Sequence, residues 1–218
     1  KTMKILLLGA TGRTGKLVLK YALEKGFEIN CLVRSSKKIT PHPQMRIFEG
    51  TPSNQSDLEK AIVGCTHIIN VLNISRKTDF PWSGLRTPKT FLSDVMSNII
   101  SIAPKYDVKQ VISCSAWGVR ETKHDIPFWF RWVIDYSNVG LAYKDHERQE
   151  ILLEESDLNY TVVRPAGLTN FKKQKVRETF ENSPKPSLTI SRKSVADYMI
   201  RCIDNESLFQ KKAVISKD

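Results

Sequence analysis

The sequence predicts an α/β fold, a doubly wound parallel sheet in a single domain. Three observations carry this. Short continuous apolar runs, the mark of strands buried on both faces, alternate with segments of helical spacing. The first apolar run passes through a glycine cluster directly into a helical segment. At 218 residues, with 40% hydrophobic and 26% charged content, the chain can bury one ample core without disulfide staples, and it is short for two domains.

Lys4 to Leu8 is the first strand, closed by Gly9, and Leu17, Val18, Tyr21 and Ala22 give residues 14 to 25 one apolar helical face. Glu28 to Val33 is the second strand, followed by a basic loop, Arg34 to Lys38, and a short strand, Met45 to Glu49. Asp57, with Ser56 beside it, is read as the cap of a helix over Leu58 to Val63. There follow a strand from His67 to Leu72, a helix from Phe91 to Ala103, a strand from Gln110 to Ser115, a helix from Tyr143 to Glu155 and a strand from Tyr160 to Val163. The tail supplies a short strand at Ser187 to Ile190, a helix from Ser194 to Asp204 and a last strand at Lys212 to Ile215. Such alternation implies parallel pairing. Residues 73–90, 116–140 and 166–186 are the expected substrate-side loops, because open α/β sheets place ligands beyond the carboxyl ends of their strands.

Thirty-four Lys and Arg against 23 Asp and Glu leave a net charge of +11, which invites nucleic acid, anionic membranes or phosphorylated ligands. The densest basic run, Lys172 to Arg177, has no interleaved aromatics and reads as a solvated loop, so nucleic acid is not the expected partner. Cys31, Cys65, Cys114 and Cys202 form no CxxC pair and are expected to be reduced and mostly buried. Cys65 and His67 lie close together, but no second pair accompanies them, and no metal is expected. No run of about 18 apolar residues occurs, so a spanning helix is not expected. Met3 is read as the start, without a signal segment, and the cytoplasm as the location.

Gly9-Ala10-Thr11-Gly12-Arg13-Thr14-Gly15 lies between a buried strand and a helix, the context that separates a nucleotide turn from chance glycines. Gly9 permits a tight exit from the strand, Gly12 a close backbone approach to a pyrophosphate, and Gly15 close packing of helix on sheet. Backbone N–H groups and the helix dipole then face the anion, with Thr11 and Thr14 beside them. A dinucleotide fold that prefers NAD carries an acidic residue at the end of the second strand. Arg34 stands there, and a guanidinium holds a 2′-phosphate bidentately. With Arg13 in the turn and Lys37 and Lys38 nearby, the expected cofactor is NADP(H) rather than NAD(H).

The chain resembles the atypical short-chain dehydrogenases/reductases of the NmrA-like, NAD(P)H-binding group, nearly end to end. It is most similar to the biliverdin-IX-beta reductase (flavin reductase) branch and to bacterial NADH-flavin reductases. The carriers are the glycine turn, Cys31-Leu32-Val33-Arg34, Ser97 to Ile100, Val111 to Ala116, Glu155 to Pro165 and Ile190 to Asp197. The resemblance implies a Rossmann-like NAD(P)-binding fold, with Leu72 and Asn73 along the cofactor and Ser115 facing the nicotinamide. It also implies that Pro165 to Leu168, Gly167 among them, close over the nicotinamide side. Thr51 stands where the group usually has an acidic residue against the adenine.

The Tyr-x-x-x-Lys motif of typical members is absent: Tyr136 is followed four residues on by Gly140, and Tyr143 by Glu147. Ala142 and His146 align with that tyrosine and lysine. A tyrosine-driven alcohol dehydrogenase reaction is therefore not expected. Flavin, quinone or tetrapyrrole-like acceptors tolerate the loss, because hydride enters an already electrophilic ring and water supplies the proton. Ser115 is then a candidate catalytic residue, and so is His146 as a proton donor, the other readings of His146 being a ribose contact or a partly exposed helix histidine.

Residues 126 to 136 concentrate aromatics where the group places its acceptor, and Phe128, Trp129 and Trp132, with Trp117, could stack a planar ring. A short amphipathic helix on the core, a dimer contact and a membrane-surface helix are the other readings. The expected activity is NADPH-dependent hydride transfer to a planar conjugated acceptor, by a monomer or homodimer. A non-catalytic NADP(H) sensor acting through a protein partner is the alternative.

Overall fold

The structure, a computed structural model, describes residues 3–218; Lys1 and Thr2, which precede the expected start, lie outside the described residues. Strand β1 (Lys4–Leu8) sits between β2 (Glu28–Val33) and β4 (His67–Asn70), all parallel. With β3 (Met45–Glu49), β5 (Gln110–Cys114), β6 (Tyr160–Pro165), β8 (Val176–Thr179) and β10 (Lys211–Lys217), the sheet order is β3-β2-β1-β4-β5-β6-β10-β8. Every pairing is parallel except the last, where β8 runs antiparallel to β10 and forms one edge. The order reverses at β1 and β4, which opens a crevice at the carboxyl ends of those strands.

Side chains alternate across each strand and so feed two cores. Ile5 and Leu7 pack with Val18 and Ala22 of α1 (Arg13–Glu24) and with Val195 and Met199 of α6 (Arg192–Arg201). Leu6 and Leu8 pack with α2 (Gln55–Ile62) and α3 (Phe91–Ile102), and Leu153 of α5 (Val139–Glu154) joins that side. The two helical layers thus cover opposite faces of one sheet, the doubly wound arrangement the apolar runs imply.

Several boundaries differ from expectation for local reasons. The cap of α2 is Asn54, whose side chain accepts from the Asp57 N–H at 3.1 Å, while the Asp57 carboxylate turns back to accept from the Thr51 N–H. Strand β4 ends at Asn70 because the Asn70 side chain accepts from the Leu72 N–H and turns the chain. Helix α5 begins four residues before Tyr143, at Val139, with Gly140 packed so tightly on the Ile134 carbonyl that a Cβ would lie 2.1 Å from its oxygen. Helix α6 stops at Arg201, short of Asp204, whose left-handed φ of 54° turns the chain toward His67.

The stretch 116–140 is partly helical: α4 (Phe128–Tyr136) occupies its second half. The basic run is not merely a solvated loop, since Val176 and Arg177 begin β8 and Lys173, Lys175 and Arg177 pair with Asp197 or Asp218. The expected strand at 187–190 is β9 (Thr189–Ser191), paired in parallel with β7 (Gly167–Thr169) as a separate ribbon at the end of β6.

Candidate functional site

The glycine turn is a backbone device. Gly9 leaves β1 with φ +91°, and the turn closes by a 2.9 Å bond from the Gly12 N–H to the Gly9 carbonyl. A Cβ on Gly15 would lie 2.0 Å from the Gly9 oxygen, so glycine alone fits there. Gly12 then stands at the N-cap of a twelve-residue helix that has neither a side-chain cap nor an acidic residue in its first turn. The N–H groups of the first turn therefore lack intrahelical acceptors, and the helix dipole adds positive potential at the crevice between β1 and β4. Helices α2 and α6, by contrast, are capped by Asn54 and Ser191. An uncapped helix end behind a turn too tight for side chains fits a dinucleotide pyrophosphate.

Arg34, at the end of β2, is exposed and has no ion-pair partner among the described residues. Lys37 lies close enough to Glu49 to help hold that carboxyl below its usual range, though the larger cause is the hydrogen bond from Ser36. Beside Thr51, the Asp57 carboxylate of α2 accepts from the Thr51 N–H at 3.1 Å and fills the space where a Gly50 side chain would be. Arg13 points elsewhere, its guanidinium gripping Asp79 of the 73–90 loop at 3.0 and 3.2 Å. That loop is tied on its other side to α4, where the Trp82 indole donates to the Tyr136 carbonyl at 2.8 Å. It thus spans from the glycine turn to α4. Leu72 is half-buried and Asn73 exposed where the loop leaves β4.

Beyond β5 the chain stays beside β6, as the N–H groups of Ser115 and Trp117 donate to the carbonyls of Val163 and Pro165. The Ser115 hydroxyl, 4% exposed, lies 2.6 Å from Oε1 of Glu150 in α5. Glu150 is fully buried and paired with Arg164 of β6 through Nε at 3.0 Å and Nη2 at 2.5 Å, and Arg164 reaches Glu121 through Nη1 at 2.6 Å. Despite burial, the carboxylates hold the Arg164 pKa above its ordinary value.

A second network fixes His146. The Leu72 N–H orients the Asn70 amide, whose Nδ2 donates to Gln149 Oε1 at 3.0 Å, which leaves Gln149 Nε2 to donate to His146 Nδ1 at 3.3 Å. His146 is therefore a neutral imidazole with its proton on Nε2. It is 3% exposed, not partly exposed as one expected reading had it, and burial lowers its pKa to about 4. The polar side chains of α5 were missed as core residues, although a signal exists. Positions 145, 146, 149 and 150 continue, at helical spacing, the buried stripe of Ala142 and Leu153. Asp145 uses the same face to accept from Leu92 N–H and Ser93 at the start of α3.

The aromatics divide. Trp117 is 5% exposed, its indole N–H unpartnered, and it lines a cleft of about 760 Å³ over β6, β10 and β8 that also contains Arg164 and Lys212. Phe128 and Trp129 face solvent, and Trp132 meets Trp82 edge-on at 6.1 Å. Pro165 ends β6, with the exposed Gly167 on the β7–β9 ribbon beyond it. The four cysteines are free, with burial raising each thiol to about 12, and Cys65 and His67 diverge toward Ala61 and Asp204. Among the described residues no three His, Cys, Asp or Glu side chains group as a metal site, and no helix is long and apolar enough to cross a membrane.

An uncapped helix behind a three-glycine turn at the switch point of a doubly wound sheet defines an NAD(P)-binding protein. The chain belongs to the NAD(P)H-binding family, whose profile matches residues 9–206. It is similar to the photosystem II assembly factor Ycf39 of Trieres chinensis, 28% identical over 167 residues, 76% of this chain and 46% of that protein. The chain thus spans about half the length of that curated relative. Among solved structures it shares its fold with a short-chain dehydrogenase/reductase of Veillonella parvula in complex with NADP (TM-score 0.79, 20% identity, covering 100% of this chain and 95% of that one). It shares it equally with ChuY, an anaerobillin reductase of Escherichia coli O157:H7 (TM-score 0.81, 18% identity, covering 99% and 97%).

Proposed function

We propose that this chain is an NADPH-dependent reductase that passes hydride to a planar conjugated acceptor, a flavin, quinone or tetrapyrrole-like ring. The observation that carries the reading is the protonation chemistry around Ser115. The sequence carries no Tyr-x-x-x-Lys motif, the Ser115 proton is committed to Glu150, and His146 is neutral at physiological pH. Such a site suits an acceptor that needs orientation more than acid catalysis.

When bound, NADPH supplies the hydride. The first turn of α1 would hold the pyrophosphate, Arg34 would meet the 2′-phosphate, and Ser115 with Pro165 and Gly167 would border the nicotinamide. The proton that completes acceptor reduction would come from water. Trp132 and Trp82, edge-on at 6.1 Å, offer apolar surface at the mouth of the 73–90 loop for a flat ring. Location in the cytoplasm and a single-domain monomer or homodimer remain part of this proposal.

The test is steady oxidation of NADPH over a panel of FMN, riboflavin, quinones and biliverdins, with NADH as the control. Turnover with at least one planar acceptor, faster with NADPH than with NADH, supports the reading. Tight NADPH binding with no turnover across the panel favours the second one, a redox sensor. That alternative draws support from the same lack of an acid group and from the similarity to an assembly factor.

A further inference from the structure

We infer that the aromatic face built by α4 and the 75–86 hairpin docks on the surface of an anionic lipid bilayer, its rings entering the interface and its unpaired cations meeting the headgroups. The inference goes beyond the proposed function and does not rest on it.

Helix α4 carries its largest apolar side chains on the outside. At 3.6 residues per turn, Phe128, Trp129, Trp132 and Tyr136 fall within about 100° of one another around its axis. All four are exposed, while Phe130 and Ile134 pack on the core. A surface helix ordinarily does the reverse. The hairpin that follows β4 extends the face. It is closed by bonds from the Lys77 N–H to the Gly84 carbonyl at 2.9 Å and from the Arg86 N–H to the Ser75 carbonyl at 2.7 Å. At its tip Phe80 stands 5.3 Å from Trp82. Trp82 is locked to the end of the helix, its indole donating to the Tyr136 carbonyl at 2.8 Å and its own carbonyl accepting from the Asn138 amide at 2.9 Å. Two segments thus present six rings, each between 45% and 75% exposed. A joined apolar surface of this kind marks an interaction site, and Trp and Tyr are the side chains that settle at the membrane–water boundary.

Charge selects the occupant. Arg76, Lys77 and Arg86 of the hairpin and Arg131 of α4 make no ion pair among the described residues, whereas the acids beside them, Asp79 and Asp135, are taken up by Arg13 and Lys123. The sequence of α4 holds one cation, and the fold adds three from the hairpin. Uncompensated cations around an aromatic face complement an anionic headgroup layer. A second copy of the chain fits less well, because a twofold contact would set these cations against themselves. A flat acceptor bound at Trp82 and Trp132 would then arrive from the bilayer.

The experiment is flotation of this chain with vesicles of phosphatidylcholine alone and of phosphatidylcholine with about one-third phosphatidylserine, repeated with brominated acyl chains. Wild type should bind the anionic vesicles at least about tenfold more tightly than the neutral ones, with its indole fluorescence quenched by the brominated chains. Each cation near such a surface is worth about fivefold, so Arg76→Gln/Lys77→Gln should weaken binding by about twentyfold. Phe128→Ser/Trp129→Ser should weaken it by at least about tenfold and remove most of the quenching. Lys25→Gln/Lys60→Gln takes away as many charges from the far ends of α1 and α2 and should leave binding within about twofold. Equal loss in that variant, or binding without quenching, would be adsorption by net charge and overturns the inference. So does failure to bind the anionic vesicles, whether the face then closes on a second copy, seen in sedimentation as a dimer that Phe128→Ser/Trp129→Ser breaks, or on another protein.

Discussion

Arg13 and Asp79, 66 residues apart in the chain, meet as a two-bonded ion pair across the mouth of the glycine turn. Both side chains are mostly exposed, 62% and 82%, so the pair is screened and its net worth is about 1 kcal/mol or less. A carboxylate held this weakly can be exchanged for a cofactor phosphate. Arg192, near enough for Arg13 to disfavour its charge, adds a second cation to that corner. The prediction is that Asp79→Ala tightens NADPH binding by about twofold to fivefold and leaves the unfolding midpoint nearly unchanged, while Arg13→Ala weakens binding. Calorimetric titration at low and physiological salt checks both, and weaker binding in Asp79→Ala would count against an exchange role.

Arg34 sets the coenzyme preference if it meets the 2′-phosphate. Replacing it by an acid turns attraction into repulsion for NADPH and offers a partner to the ribose hydroxyl of NADH. Arg34→Glu should therefore raise KM for NADPH by about a hundredfold, some 3 kcal/mol, with little change for NADH. Steady-state kinetics with both coenzymes would show it, and equal effects on the two would remove the assignment.

His146 makes stability depend on pH in one direction. Its pKa falls from the ordinary value of 6.5 to about 4 by burial, so between these limits the unfolded chain binds more protons. Stability is complete above about pH 6.5 and declines as pH falls toward 4, by about 3 kcal/mol from this group. Urea unfolding at pH 7 and pH 4.5 should show the loss in wild type and a smaller loss in His146→Gln. Activity should show no break near pH 6.5 attributable to this histidine.

Gly15→Ala tests the turn itself. The added methyl would stand 2.0 Å from the Gly9 oxygen, so α1 must shift away from β1. The expected result is loss of NADPH binding by at least tenfold together with a stability loss of about 1–3 kcal/mol, read by titration and denaturant unfolding. An unchanged affinity would mean that the first turn of α1 does not hold the cofactor.

What was legible in the sequence was what local pattern controls. The runs around Ile5, Ile29, Ile68, Ile112 and Val162 mark strands because burial on both faces demands continuous apolar residues, and the glycine turn is legible because only glycine meets its backbone geometry. Asp145, His146, Gln149 and Glu150 sit in a charged stretch that suggests a solvated face, yet their partners come from α3, β4, β5, the residue after β5, and β6. Which polar residues are paired is set by packing across the sheet. The same holds for Arg13, whose partner lies in an irregular loop without periodicity. Strand β8 was hidden because its residues follow a lysine-rich run and pair antiparallel with β10, a partner near the end of the chain.

That edge strand also explains part of the charge surplus. A sheet edge presents unpaired backbone groups that invite another chain to add on, and proteins guard such edges with lysine, arginine and proline. Here β8 enters through Lys172, Lys173 and Lys175 and leaves toward Pro184 and Pro186, while Arg177 is anchored to Asp218 beside it. Part of the basic surplus therefore acts against edge-to-edge aggregation, and neutralising these lysines should cost solubility before it costs cofactor affinity.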